Sequence, residues 1–284
     1  MNKGKIFLVP TPIGNLKDIT IRALDVLKEA DIIAAEDTRQ TIKLLNHYQI
    51  KKPLVSYHMH NEQGKSEELL EYARNGKVIA VVTDAGTPGI SDPGAVIVKK
   101  CIDEEIEFVV LPGATAFTTG LVYSGLDTTK FVFRGFISRD TKERKELIEQ
   151  IKSLRETIIL YESPYRLINT LKLISTELGD RNIAVCRELT KMHEEIVRGK
   201  ISEVVEKFED RTIKGEIVIV IEGKQEEDFE LEKKQLWEDI SVEEHIKKIM
   251  EDGISKKDAI KKVAKDRGLP KNEVYKYSTN IEKN

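Results

Sequence analysis

Residues 83–94, TDAGTPGISDPG, place two carboxylates, Asp84 and Asp92, among three glycines, Gly86, Gly89 and Gly94, with no Lys or Arg between them. The preceding VIAVV (78–82) is apolar and largely β-branched. It reads as a buried strand, and ligands of open α/β sheets bind where such strands end. A polyphosphate would want the Lys of a Walker loop or a G-x-G-x-x-G fingerprint, and neither is present. Asp84 and Asp92 instead suit hydroxyls or a cation, and the glycines let backbone N–H and C=O groups approach a ligand closely. Taken alone, the loop is equally an ordinary connection built from turn formers.

Two further strand-like runs end in comparable loops, VPTPIGN (9–15) and LPGATA (111–116). In a parallel sheet all three loops emerge on one edge, so their glycines and prolines would line a common crevice. A ligand held there mainly by backbone groups, without basic side chains, should carry amide-like hydrogen-bonding edges, hydroxyls and positive charge. A nucleoside sulfonium fits that description.

The elements that would position these loops can be read from alternation. Strands over 5–10, 31–36, 78–83 and 107–112, with a short one near 53–58, alternate with helices over 19–29, 39–48, 65–74 and 94–104, and a buried helix follows in ATAFTTGLVYSGL. This is an α/β domain on a parallel sheet, spanning 1–124. After a polar turn at 125–130, FVFRGFI, TIILYE, NIAVCRE and EIVIVIEG alternate with helices over 140–154, 165–178 and 200–210. A second α/β domain is therefore expected over 125–224. KQEEDFELEKKQ is highly charged and makes 225–240 a linker. Beyond it, 241–284 should form a helix-turn-helix-like module of three short helices, with Ser241 and Ser255 as N-caps and Gly253 and Gly268 as stops. The module is rich in Lys and Arg (Lys256, Lys257, Lys261, Lys262, Lys265, Arg267, Lys271). It suits a nucleic acid, or equally a solvated amphipathic bundle.

With 284 residues, 40% apolar and 33% charged, and a net charge of −3, the chain has the composition of a globular protein. Net charge neither advertises nor excludes nucleic acid, because a local basic face can be balanced elsewhere. MNKGKIFLVP holds too short an apolar run for a signal peptide, and no run reaches the length of a membrane span. A cytoplasmic location without membrane contact is expected. Cys101 and Cys186 lack C-x-x-C spacing and read as buried thiols.

TPIGNLKDIT, AAEDTRQTIKLL, SYHMHNE, TDAGTPGISDPG, LPGATA, SGL, YESPYRL, RELTK with a following HEE, and KGEIVIVIEG occur in that order. In these runs, across residues 4–223, the chain resembles the ribosomal RNA small subunit methyltransferase I family, of the tetrapyrrole methylase (class III methyltransferase) fold. Thr115 departs slightly from the pattern, where Ser is more usual, but keeps the hydroxyl. The resemblance implies two α/β domains with S-adenosylmethionine in the cleft between them. It implies contacts to that cofactor from Asp84, Thr87, Gly89, Ile90, Thr115 and Ala116, from Tyr161 and Ser163, from Glu188, Leu189 and Thr190, and from Gly215, Glu216 and Ile217. The reaction it implies is 2′-O-ribose methylation of a cytidine in the decoding region of 16S rRNA, by a homodimer acting on the RNA or the small ribosomal subunit. The alternatives are a methyltransferase acting on a tetrapyrrole or other small metabolite, and a non-catalytic RNA-binding assembly protein.

A ribose hydroxyl is a poor nucleophile at neutral pH, so a base or electrostatic helper is expected near it. Glu36 and Asp37, at the end of the second strand, are the first candidates, although carboxylates at a helix N-terminus are also favourable without catalysis. Lys191 would lower the hydroxyl pKa or hold a phosphate. Candidate RNA contacts are Pro12, Gly14 and Asn15 of the first loop, His58 and His60, and Arg22, Arg39, Arg134, Arg166 and Arg187, with Arg139, Arg144 and Arg198 spaced along the same segments. Arg grips phosphate as a fork, whereas ion pairing with the many acids would occupy about half of them. His58 and His60 lack a third ligand at usable spacing, so no metal is expected.

Overall fold

The computed structural model describes residues 4–226, 228, 237, 239–251 and 253–279. The chain divides into two compact units, Met1–Gly223 and Lys224–Asn284. Among the described residues no helix is long and apolar enough to cross a membrane.

The first sheet is built from β1 (Lys5–Leu8), β2 (Ile32–Ala35), β3 (Leu54–Ser56), β4 (Val78–Val82) and β5 (Phe108–Val110), in the order β3-β2-β4-β1-β5. Every pairing is parallel, as the alternation predicts. The crossovers are α1 (Ile21–Glu29), α2 (Thr38–His47), α3 (Glu62–Arg74) and α4 (Ala95–Asp103). β4 is apolar throughout because both its faces are covered. Ala80 and Val82 pack with Leu27, Ile33 and Leu45 on one side, while Ile79 and Val81 pack with Leu69, Leu70 and Ile97 on the other. Chain order reverses between β1 and β4, so the loops that leave β1, β4 and β5 lie side by side on the carboxyl edge.

The second sheet has the order β6-β7-β10-β8-β9: β6 (Phe131–Phe136), β7 (Thr157–Glu162), β8 (Asn182–Arg187), β9 (Glu195–Lys200) and β10 (Ile217–Ile221). Only β6 and β7 run parallel; β10 is antiparallel to both β7 and β8, and β8 to β9. The helices α6 (Thr141–Lys152), α7 (Leu167–Leu178) and α8 (Ile201–Glu209) cover one face through Ile148, Leu171, Ile174 and Phe208. The other face is covered by α5 (Ala116–Ser124), the helix with which the sequence reading ends the first domain. A Cβ on Gly120 would lie 2.9 Å from Val218 Cγ1, so the glycine lets this helix seat closely on β10. Strand β9 was not anticipated from sequence. EIVRGK is half exposed, and its antiparallel partnership with β8 supplies the order that its composition does not announce.

In the second unit, α9 (Val242–Glu251), α10 (Lys256–Arg267) and α11 (Lys271–Tyr277) bury Ile246, Ile249, Ile260, Val263 and Val274 together. Ser241 exchanges bonds with Glu244 as a capping box, Ser255 Oγ accepts from the Asp258 N–H, and Gly253 and Gly268 have φ of +81° and +63°. Most of the linker expected over 225–240, and residues 280–284, lie outside the described residues.

Candidate active site

The three loops expected to meet do so through backbone bonds. Thr11 and Gly86 exchange N–H···O bonds of 2.9 and 3.0 Å, Thr11 Oγ1 donates to the Thr83 carbonyl, and Thr87 Oγ1 donates to the Ala114 carbonyl. The first loop also reaches the second sheet. The Asn15 N–H donates to Thr190 Oγ1 at 2.9 Å, and a Cβ on Gly14 would fall 2.5 Å from Lys191 Cγ and 2.9 Å from the Leu189 carbonyl. Only glycine permits that approach.

Between the two sheets lies a cavity of about 410 Å³. Of the residues the resemblance assigns to a cofactor, Asp84, Thr87, Ile90, Thr115, Ala116, Tyr161, Ser163, Leu189, Gly215, Glu216 and Ile217 line it. Gly89, Glu188 and Thr190 do not line it; they shape it. Gly89 (φ +88°) donates its N–H to the Pro93 carbonyl and turns the long loop. Glu188 and Thr190 hold left-handed φ of +53° and +65°, as does Ser91 on the cavity wall at +63°. Such strain in non-glycine residues persists where the surroundings over-determine the backbone, commonly at functional sites.

Five acidic residues line the cavity, Glu36, Asp84, Asp92, Glu162 and Glu216, against an apolar floor of Ile13, Ala116, Leu189, Ile217 and Val218. Glu36 accepts the Asp84 N–H (3.2 Å), and Asp84 accepts the Asp37 N–H (3.1 Å), which fixes both side chains. Burial raises the Glu36 and Asp84 pKa values. Burial, reinforced by the charges of Glu36, Asp84 and Glu216, pushes Asp92 up to about 7. This arrangement is short of positive charge, so a cationic ligand would be stabilised and would lower these pKa values in turn. Asp92 is the most strongly perturbed; the sequence reading paired it with Asp84 as suited to hydroxyls or a cation, but the residues that the resemblance assigns to the cofactor omit it. Glu162 was also missed: it is buried, accepting from the Ser163 N–H and Thr170 Oγ1.

A second cavity, about 390 Å³, adjoins the first and shares Ile13, Asp84, Ala85 and Glu216 with it. Pro12, Gly14, Gln40, Lys43 and Lys191 line the remainder. Lys191 Nζ bonds Glu188 at 2.8 Å and Glu216 at 3.1 Å. Burial alone would lower its pKa, but the two carboxylates outweigh it and keep the ammonium charged.

The other candidates separate. Asp37 caps α2 and is clasped by the Arg39 guanidinium at 3.0 and 2.7 Å. Those bonds hold its pKa down at about 2, which makes it a weak base. Arg39, Arg166 and Arg187 are engaged by Asp37, Glu162 and Glu195, whereas Arg22 and Arg134 are exposed without an ion pair among the described residues. Asn15 caps the short 3-10 turn Leu16–Asp18. His58 turns Nδ1 inward, where it finds no hydrogen-bond partner, with the His60 ring 5.9 Å away. Among the described residues no group of three His, Cys, Asp or Glu could hold a metal.

Residues 5–205 match the family model for tetrapyrrole (corrin/porphyrin) methylases, and the chain belongs to that family. Structural similarity agrees: a crystal structure of diphthine synthase superposes with a TM-score of 0.63 at 15% identity, covering 77% of this chain and 90% of the other, which speaks to the fold alone. Its nearer kinship is with one branch of the family. A Bacillus subtilis (strain 168) protein named ribosomal RNA small subunit methyltransferase I is 50% identical over 272 residues, 96% of this chain and 93% of the relative. A Thermotoga maritima (strain MSB8) protein of the same name is 47% identical over 222 residues, which are 78% of this chain and the whole of the relative.

Proposed function

We propose that the chain transfers a methyl group from S-adenosylmethionine to a ribose 2′-hydroxyl of small-subunit ribosomal RNA, at a cytidine of the decoding region. The observation that carries this is the 50% identity, over nearly both full lengths, to a relative named for small-subunit rRNA methylation. The cavity chemistry supports it. An apolar floor suits a nucleoside, and the Glu36, Asp84 and Asp92 carboxylates suit a sulfonium. The same reading carries cytoplasmic location and a homodimer.

S-adenosylmethionine supplies the methyl group on a positively charged sulfur. The chain has to hold the acceptor oxygen in line and dry, an effect worth up to roughly 7–11 kcal/mol. In this reading the first cavity would hold the cofactor and the second would admit the acceptor nucleotide, with Asp84 and Glu216 lining both. Asp84, which lines both cavities, would accept the proton that the hydroxyl loses on methylation. Glu36 positions that residue through its N–H, and Lys191, held charged by Glu188 and Glu216, stabilises the developing oxyanion. Incubation with labelled S-adenosylmethionine and small ribosomal subunits lacking the modification tests the reading. Label in the RNA is expected; label only in a tetrapyrrole or other small acceptor would replace the reading with small-metabolite methylation.

A further inference from the structure

No described residue of the second unit lines the cavities described above, yet its last two helices are markedly basic. Residues 255–279 hold eight Lys and Arg against three Asp and Glu, in a chain whose net charge is −3. The fold sorts these charges. Ala259, Ile260, Val263 and Ala264 turn α10 inward, which leaves Lys257, Lys261, Lys262 and Lys265 on its outer face. Lys261 pairs with Asp258, whereas Lys257, Lys262 and Lys265 form no ion pair among the described residues. Arg267, which the sequence groups with them, is withdrawn from this face. It stacks over Trp237 at 4.9 Å and donates to the carbonyls of Trp237, Ile240 and Ser241.

The next helix adds aromatic surface. In α11 only Val274 is buried, and Tyr275 and Tyr277 are 60% and 47% exposed on either side of Lys276. Pro270, Asn272, Lys276 and Tyr277, with Glu273, the only acid of this helix, line a shallow depression. Exposed tyrosines among unpaired lysines are the elements of a single-stranded RNA surface, in which lysines meet phosphates and rings stack on unpaired bases. A solvated face needs the lysines but gains nothing from two exposed tyrosines.

We propose that the outer face of α10 and α11 is a single-strand RNA-binding surface, with Lys257, Lys262, Lys265, Lys271 and Lys276 on phosphates and Tyr275 and Tyr277 stacking on bases. It rests on the RNA reading of the active site and adds to it a second, non-catalytic grip. Its contribution is affinity and register rather than chemistry. The Thermotoga maritima relative, matched over its whole length by 222 residues of this chain, about the size of the first unit, is consistent with that division.

The test uses the full-length chain carrying Lys262→Ala with Lys265→Ala, or Tyr275→Ala, or Tyr275→Phe. All three positions are exposed, so helix content should hold, and circular dichroism checks it. Binding to protein-free 16S rRNA is measured from 50 to 200 mM salt, alongside S-adenosylmethionine affinity and methyl transfer to small subunits. Loss of two phosphate contacts should flatten the slope of log affinity against log salt by about 1.4. Tyr275→Ala should weaken RNA binding by about fivefold or more, and Tyr275→Phe should restore it. KM for the RNA substrate should rise while cofactor affinity and kcat stay put. Unchanged RNA affinity and salt slope would overturn the proposal, as would loss of binding to assembled subunits alone, which would assign the face to a ribosomal protein. Absence of methyl transfer by the unaltered chain, with these RNA-binding losses intact, would instead fault the active-site reading.

Discussion

Gly215→Ala puts a distinctive demand on the loop that leads into β10. Gly215 has φ of +94°, and a Cβ there would lie 2.3 Å from both the Cδ and Oε1 of Glu188. An alanine forced into left-handed backbone costs about 1–2 kcal/mol. The methyl must also expel the Glu188 carboxylate, which accepts from the Glu216 N–H at 3.0 Å and from Lys191 at 2.8 Å. Hydrogen bonds to charged groups are worth about 1.5–3 kcal/mol each, but these groups are partly solvated and water replaces much of the loss, leaving about 1–3 kcal/mol for the two together. The substitution should therefore destabilise the first unit by about 2–5 kcal/mol in all. A double-mutant cycle isolates the clash: in a Glu188→Ala background the cost should shrink to the backbone part, about 1–2 kcal/mol. Urea unfolding followed by far-UV circular dichroism is the suitable assay, because the first unit contains no tryptophan, the single one being Trp237. An equal cost in both backgrounds would refute the carboxylate-over-glycine account, and a cost below about 1 kcal/mol would refute the backbone part too.

Two further outcomes follow from the cavity electrostatics. Asp92 titrates near 7 in the folded chain against an ordinary 3.8, so the stability it contributes is fully present below about 3.8 and is lost as pH rises through about 7. A cation in the cavity should pull that pKa down, so S-adenosylmethionine should bind more weakly as pH falls from 7 to 5.5 and release about half a proton at pH 7. Calorimetry in buffers of different ionisation enthalpy reads this directly; Asp92→Asn should abolish the dependence, and buffer-independent heats with the native residue would refute it. Asp84→Asn should lower kcat by about 10²–10⁴-fold, whereas Asp37→Asn, altering a carboxylate already committed to Arg39, should change it far less. Equal losses would reverse those roles.

The parallel first sheet was legible because β4 is apolar on both faces and the helices between strands carry clear amphipathic spacing. The convergence of the VPTPIGN, TDAGTPGISDPG and LPGATA loops was legible too, since chain order in a parallel sheet sends them to one edge. The antiparallel half was not. β9 is half exposed, carries Glu, Arg and Lys and is interrupted by Gly199, and the insertion of β10 between β7 and β8 is a tertiary outcome that β-branched composition does not encode. Within the site, the type of Asp92 was visible but its perturbation was not. That perturbation arises from burial beside Glu36 and Asp84, 56 and 8 residues away in sequence. Arginine spacing likewise could not tell Arg187, tied to Glu195 across the β8–β9 pair, from the exposed Arg134 on β6. Gly14 and Gly215 read as loop glycines, yet their constraint is the close passage of Lys191 and Glu188, contacts made by residues about 177 and 27 positions distant.

Alkaline hydrolysis of the methylated RNA tests the central claim most directly. A 2′-O-methyl group removes the hydroxyl that attacks the adjacent phosphodiester, so that linkage survives alkali while every other one breaks. After transfer from labelled S-adenosylmethionine to unmodified small subunits, the label should appear in one alkali-stable dinucleotide that yields 2′-O-methylcytidine on enzymatic digestion. Label recovered in a mononucleotide would mean methylation of a base, and no label in RNA despite cofactor binding would mean another acceptor; either result would contradict the proposed reaction.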